Sequence, residues 1–130
     1  MTGDDFRRIA LGMTGAIEGA HMGHPDFRAN GRIFATLRPE LASGMVGLTP
    51  EQQQQFIQAY PAAFSPEVGA WGRAGATRVL LAAADEEPVG EAMTLAWRIV
   101  MAKPAVRKRS KGSKVSATRR SAAKRPSRRR

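Results

Sequence analysis

Large apolar side chains stop at Lys103-Pro104, and that boundary decides how much of the chain can fold. Residues 103–130 are mostly Lys, Arg, Ser, Ala and Gly, with no acid and no aromatic. Such a segment cannot bury enough apolar surface to offset the entropy of ordering it, and is expected to be disordered when free. Proline also disfavours helical geometry in the residue before it, so a helix arriving at Lys103 ends there. Folding is assigned to residues 1–102, one domain of about 100 residues, long enough for a single ordinary core.

Charge divides at the same place. Thirteen of the 21 Lys and Arg lie in residues 103–130, leaving eight to face all 11 acids, so residues 1–102 carry a net −3. A mildly acidic body with a +13 tail points to a polyanionic partner, most often nucleic acid. The absence of cysteine removes disulfides and thiolate chemistry. No signal peptide is read at the start, where "MTGDDFRRIALGM" puts acids in place of cations, and the longest apolar run, "VLLAAA", is far short of a span of about 20 residues. A soluble, cytoplasmic protein is expected, nucleoid-associated if it holds DNA.

Periodicity predicts three helices. "DDFRRIALGM" places Phe6, Ile9, Ala10 and Met13 on one stripe behind Asp4 and Asp5, with Gly12 and Gly15 as stops. "LTPEQQQQFIQAY" starts with Thr49 as N-cap, Pro50 at the first helical position and Gln52 completing a capping box. After Asp85, another expected cap, Val89, Met93, Ala96, Trp97 and Val100 mark one face down to Met101. Between the first two helices the period changes. Asn30-Gly31 is a two-residue hairpin signal, predicting Ala29 opposite Arg32 and Phe27 opposite Phe34. Residues 44–48 read as a short strand and residues 77–82 as a buried one. The fold class is α+β, an antiparallel sheet with hairpins covered by about three helices.

Two clusters invite chemistry. His21, His24 and Asp26 resemble a ligand set, but on a strand His24, Asp26 and Arg28 share a face while His21 lies beyond the Gly23 break. Without cysteine a structural zinc site would need unusual ligation. A polar strand face with Asp26 and Arg28 paired at their tips is the expectation. The glycine-rich stretch 68–78 could cradle phosphate on backbone N–H groups, aided by Arg73 and Arg78. The expected reading is a tight loop in which Trp71 plugs the core and glycines take positive φ. Nucleophile–base arrangements are almost absent, the only body serines being Ser43 and Ser65. No catalytic residue, metal or cofactor is assigned, nor an obligate small-molecule ligand, and an enzyme is not expected.

Gly23-His24-Pro25-Asp26-Phe27, Ile33-Phe34-Ala35-Thr36-Leu37 and the Trp71-Gly72…Gly75 stretch, in their order along residues 4–102, resemble the MmcQ/YjbR family. The resemblance implies an α+β body similar in outline to bacterial frataxin, with hairpins compared to a double-wing DNA-binding motif. The chain departs from the family pattern at His21-Met22, where an aromatic is usual, and in its basic tail.

The function read from the residues is non-enzymatic, mostly sequence-independent binding of duplex DNA by the tail. The cations assigned to it are Arg107, Lys108, Arg109, Lys111, Lys114, Arg119, Arg120, Lys124, Arg125, Arg128, Arg129 and Arg130. Each phosphate neutralised releases counterions, and log K falls by about 0.9 per unit of log salt for each contact. A hairpin patch of Arg28 and Arg32, aided by Arg73 and Arg78, is the body's candidate contribution. The alternative is a module for a protein or small ligand, with a solubilising or RNA-binding tail. RNA suits the tail equally, although the body lacks the exposed aromatic platform expected of single-strand binders. No membrane partner is expected, since neither a lipidation signal nor a hydrophobic anchor accompanies the tail.

Overall fold

The computed structural model describes residues 1–105; the expectations for the tail from Val106 onward lie outside them. Thr2 begins the first helix, α1 (Gly3–Leu11), with a reciprocal capping box: Thr2 Oγ1 accepts from the Asp5 N–H and Asp5 accepts from the Thr2 N–H. Five strands and two helices follow. They are β1 (Ile17–His21), β2 (His24–Ala29), β3 (Arg32–Arg38), β4 (Ser43–Gly47), α2 (Pro50–Ala59), β5 (Phe64–Pro66) and α3 (Gly69–Arg73). The last elements are β6 (Ala76–Leu80) and α4 (Glu86–Met101). Short 3-10 turns at Pro39–Leu41 and Leu81–Ala83 complete the order.

All pairings are antiparallel, in the spatial order β1-β2-β3-β4-β6-β5. Both outer hairpins turn on two residues of positive φ, Met22-Gly23 and Asn30-Gly31, as tight turns matched to strand twist require. The Asn30-Gly31 hairpin sets Ala29 opposite Arg32 as predicted. Phe27, however, lies opposite Ala35 and not Phe34, because the register shifts between Phe27 and Arg28. The extra residue lets Phe34 and Ala35 both stay buried, which strict alternation forbids.

One face of the sheet carries Phe27, Ala35, Leu37, Val46 and Val79, and α1 and α4 cover it. Phe6 of α1 lies tilted against Phe27 at 6.2 Å and sits directly over Gly44. A Cβ at Gly44 would come within 2.6 Å of that ring, so the bare backbone is what lets α1 approach. At the far end Phe56 of α2 meets Phe64 at 5.2 Å. On α4, Val89, Met93, Ala96 and Val100 are buried as the spacing predicts. Asp85 occupies the N-cap position without a side-chain hydrogen bond. Strand β6 is half-buried, not buried throughout: Thr77 and Val79 point in, while Leu80 is exposed.

The α2 start matches its prediction, Thr49 and Gln52 forming the capping box ahead of Pro50. The glycine-rich stretch differs from expectation in one respect. It contains a five-residue helix, α3, and Trp71 on that helix is 60% exposed rather than in the core. The glycines serve close packing. A Cβ at Gly72 would lie 1.7 Å from the Glu67 carbonyl oxygen, and one at Gly75, where φ is 118°, 1.9 Å from that of Leu48. Two of its amides serve local turns, Ala74 N–H to Ala70 and Gly75 N–H to Gly72.

Candidate nucleic-acid interface

The second face of the sheet, turned away from α1 and α4, holds the polar side chains. Cross-strand partners share a face, so the pairs Gly19–Asp26, Asp26–Thr36, Thr36–Met45 and Met45–Arg78 place these residues together. His24, Asp26 and Arg28 do share that face by alternation. His21 sits directly opposite His24 across the Met22-Gly23 turn, closer to it than the glycine break implied. Among the described residues no three His, Asp or Glu side chains gather as a ligand set.

Asp26 and Arg28 pair more tightly than a surface contact. Asp26 is fully buried and accepts two hydrogen bonds from Arg28, Nε at 2.8 Å and a terminal nitrogen at 3.0 Å. The absence of a side chain at Gly19 makes room, since a Cβ there would lie 3.0 Å from Asp26 Oδ1. The hydrogen bonds that Arg28 donates to Asp26, and then the charge of Asp26, raise the Arg28 pKa. Glu67, nearly enclosed, binds two arginines at once: Arg38 at 3.1 Å through one oxygen and Arg78 at 3.1 Å through the other.

Arg32 lies at the hairpin end and donates to the Pro104 carbonyl at 2.8 Å. Its neighbour Asn30 donates to the carbonyls of Val100 and Lys103 at 2.8 and 3.0 Å. The Asn30-Gly31 turn thus clasps the last turn of α4 and the root of the tail. Arg73, exposed in the last turn of α3, makes no ion pair among the described residues. The structure thus ties Arg32 to the root of the tail and leaves Arg73 on the separate helix α3. Arg28 and Arg78 stand three strand spacings apart, about 14 Å, and each is held by a carboxylate. Arg107, Lys108, Arg109, Lys111, Lys114, Arg119, Arg120, Lys124, Arg125, Arg128, Arg129 and Arg130 lie outside the described residues.

A groove that the sequence reading missed crosses the second face. It consists of two adjoining hollows of about 330 and 780 Å³ that share His21, Thr36 and Trp71. The smaller reaches His24 and Arg38; the larger runs along Ile33 and Met45 to Ile99 and Lys103. No Asp or Glu lines either hollow, although acids outnumber cations in the body. Four buried polar atoms without hydrogen-bond partners, His24 Nδ1, Thr36 Oγ1, Ser43 Oγ and Arg78 Nε, all belong to residues of this face. His24 Nδ1 lies 3.3 Å from a Glu40 carboxylate oxygen, but without hydrogen-bond alignment. One clue was legible: Trp71 is flanked by Ala70, Gly72 and Gly69, which cannot themselves anchor it in a core.

The YjbR family model matches residues 11–99, most of the folded part and more than half of the whole chain. The chain belongs to the YjbR family. Its YjbR fold is similar to the crystal structure of a Deinococcus radiodurans protein, DR2400, with domain DUF419. That similarity has a TM-score of 0.66 and 19% identity, and it covers 78% of this chain and 80% of the other. No curated protein matches this YjbR chain. Among its described residues no helix is long and apolar enough to cross a membrane.

Proposed function

We propose that this YjbR-family chain is a non-enzymatic nucleic-acid-binding protein. Its basic segment supplies sequence-independent affinity for phosphate backbones, with duplex DNA the principal target. The observation that carries this reading is the partition of charge: 13 cations and no acid in residues 103–130, against a net −3 before them. Internal pairing in the body adds support. Arg7, Arg8, Arg28, Arg38 and Arg78 are each bound to a carboxylate of the same chain, and Arg32 to a carbonyl. Five of the eight body cations are thereby partly neutralised, which leaves the tail as the main source of counterion release. In this reading the Asn30-Gly31 hairpin is less a wing than a clasp that fixes where the basic segment leaves the fold.

The test compares duplex binding by the full chain with binding by residues 1–105, which keep the clasp. Twelve cations are removed by that truncation. If about 6–10 of them engage phosphates, affinity of the full chain drops about 10³- to 10⁵-fold between about 50 and 200 mM salt. The truncated chain is expected to bind weakly with a shallow salt slope. Equal affinity of the two would remove the tail from the mechanism.

A further inference from the structure

Trp71 is the anomaly of the second face. A large indole that is 60% exposed on a short helix packs little of its surface, and no aromatic neighbour stacks on it among the described residues. It forms a wall of the groove whose floor includes Thr36. The groove is lined by no acid, and its larger hollow reaches Lys103, the first cation of the basic segment. A strand of phosphates drawn along that segment therefore arrives at the mouth of a hollow with an aromatic wall.

We infer that this groove receives unpaired nucleotides: a base stacks on Trp71 while a flanking phosphate meets Lys103. The inference rests on the nucleic-acid reading above and adds to the tail's duplex binding a separate site in the body for unpaired nucleotides. Three features favour this occupant over a purely apolar one. Every base has a π-face, so stacking on one indole serves any sequence. The lining offers positive charge at Lys103 and includes no carboxylate, while Arg38 at the other end is engaged by Glu67. His21, exposed and lining both hollows, can donate to or accept from a base edge. A volume of about 780 Å³ falls within the usual range of ligand pockets. A duplex keeps its bases stacked inside and cannot present one to Trp71 without extrusion.

The experiment uses the full chain with three ligands: an oligothymidylate and an oligouridylate of about 16 nucleotides, and a duplex of the same length. Trp71→Ala is expected to weaken single-strand binding about 5- to 150-fold, the loss of one stacked base, and to leave duplex binding within about twofold. Trp71→Phe should retain most of the single-strand affinity. Melting temperatures of both variants check the fold. With Trp97→Phe, which leaves Trp71 as the remaining one of the chain's two indoles, fluorescence should be quenched by the single strand and much less by the duplex. Quenching by oligothymidylate and oligouridylate alike identifies base stacking as the shared chemistry; quenching by one alone assigns the groove to DNA or to RNA. Unchanged single-strand affinity in Trp71→Ala, or no quenching, overturns the groove while leaving the tail reading intact. If duplex and single strand weaken in parallel in a folded Trp71→Ala, the preference for unpaired bases is overturned. Absence of binding to any of the three at low salt sinks both readings.

Discussion

Asn30 holds Lys103: its side-chain amide donates to the Lys103 carbonyl at 3.0 Å and to that of Val100 at 2.8 Å. A helix leaves its last carbonyls without partners, and here a hairpin turn on a distant strand supplies them. Asn30→Gly keeps the positive φ of the turn, 55° in Asn30, and removes only the clasp. It is expected to cost about 1–2 kcal/mol, the net value of two hydrogen bonds. Thermal unfolding measures the loss, and faster hydrogen exchange at the Ala102 and Lys103 amides locates it. A variant as stable as the parent, with unchanged exchange, would remove the clasp.

Glu67 is the single carboxylate between Arg38 and Arg78. Glu67→Ala leaves two guanidinium groups facing each other near an enclosed site. Since both arginines remain partly in water, the loss should be about 1–3 kcal/mol, less than the 3–5 kcal/mol of a fully enclosed broken pair. Glu67→Gln, which keeps the shape and the acceptor, should lose less. Chemical denaturation of the pair of variants orders them, and the reverse order would contradict an electrostatic role.

The Phe6 ring lies over Gly44, whose missing Cβ would sit 2.6 Å from it. Gly44→Ala forces α1 off the sheet and should destabilise by about 1–3 kcal/mol, as overpacking does. Combining it with Phe6→Leu should recover part of that loss, because the smaller side chain restores the space. A double variant no more stable than the sum of the two singles predicts would refute the contact.

Hydrogen bonds from the backbone and then the side chain of Thr2 hold the Asp5 carboxyl below its ordinary pKa of 3.8. A carboxyl lowered by folding stabilises the fold above its unfolded pKa, and that contribution disappears as pH falls through the folded value. The parent should therefore be more stable than Asp5→Asn at neutral pH. The gap should begin to close below about pH 4, where the unfolded carboxyl starts to bind protons. Melting curves of both proteins from neutral to acid pH read this directly; a gap that widened on acidification would reverse the assignment.

Local chemistry was the most legible part of the chain. Thr49, Pro50 and Gln52 state a helix start in three residues, and Asn30-Gly31 states a hairpin in two, because each acts through its own backbone. Effects set by distant packing were not legible. The register shift beside Arg28 exists because Phe34 and Ala35 both face the interior, something alternation within one strand cannot reveal. Trp71 misled for a similar reason: aromatic residues usually go inside, and only the placement of a five-residue helix beside the groove turns this one out. The second face was hidden because His21, Thr36, Arg38 and Trp71 lie far apart in the chain and meet only through strand pairing. The pair of Arg28 with Asp26, two residues away, was expected, but the binding of Arg78 to Glu67, 11 residues away, was not.

The sheet ends differently at its two margins. β5 is three residues long and closes on Pro66, which has no N–H to offer, whereas β1 presents five residues along an open border. Growth by strand addition is thus possible on one side only. Two copies joined there would each use up their single open border, so such association stops at a pair and cannot propagate into a fibre.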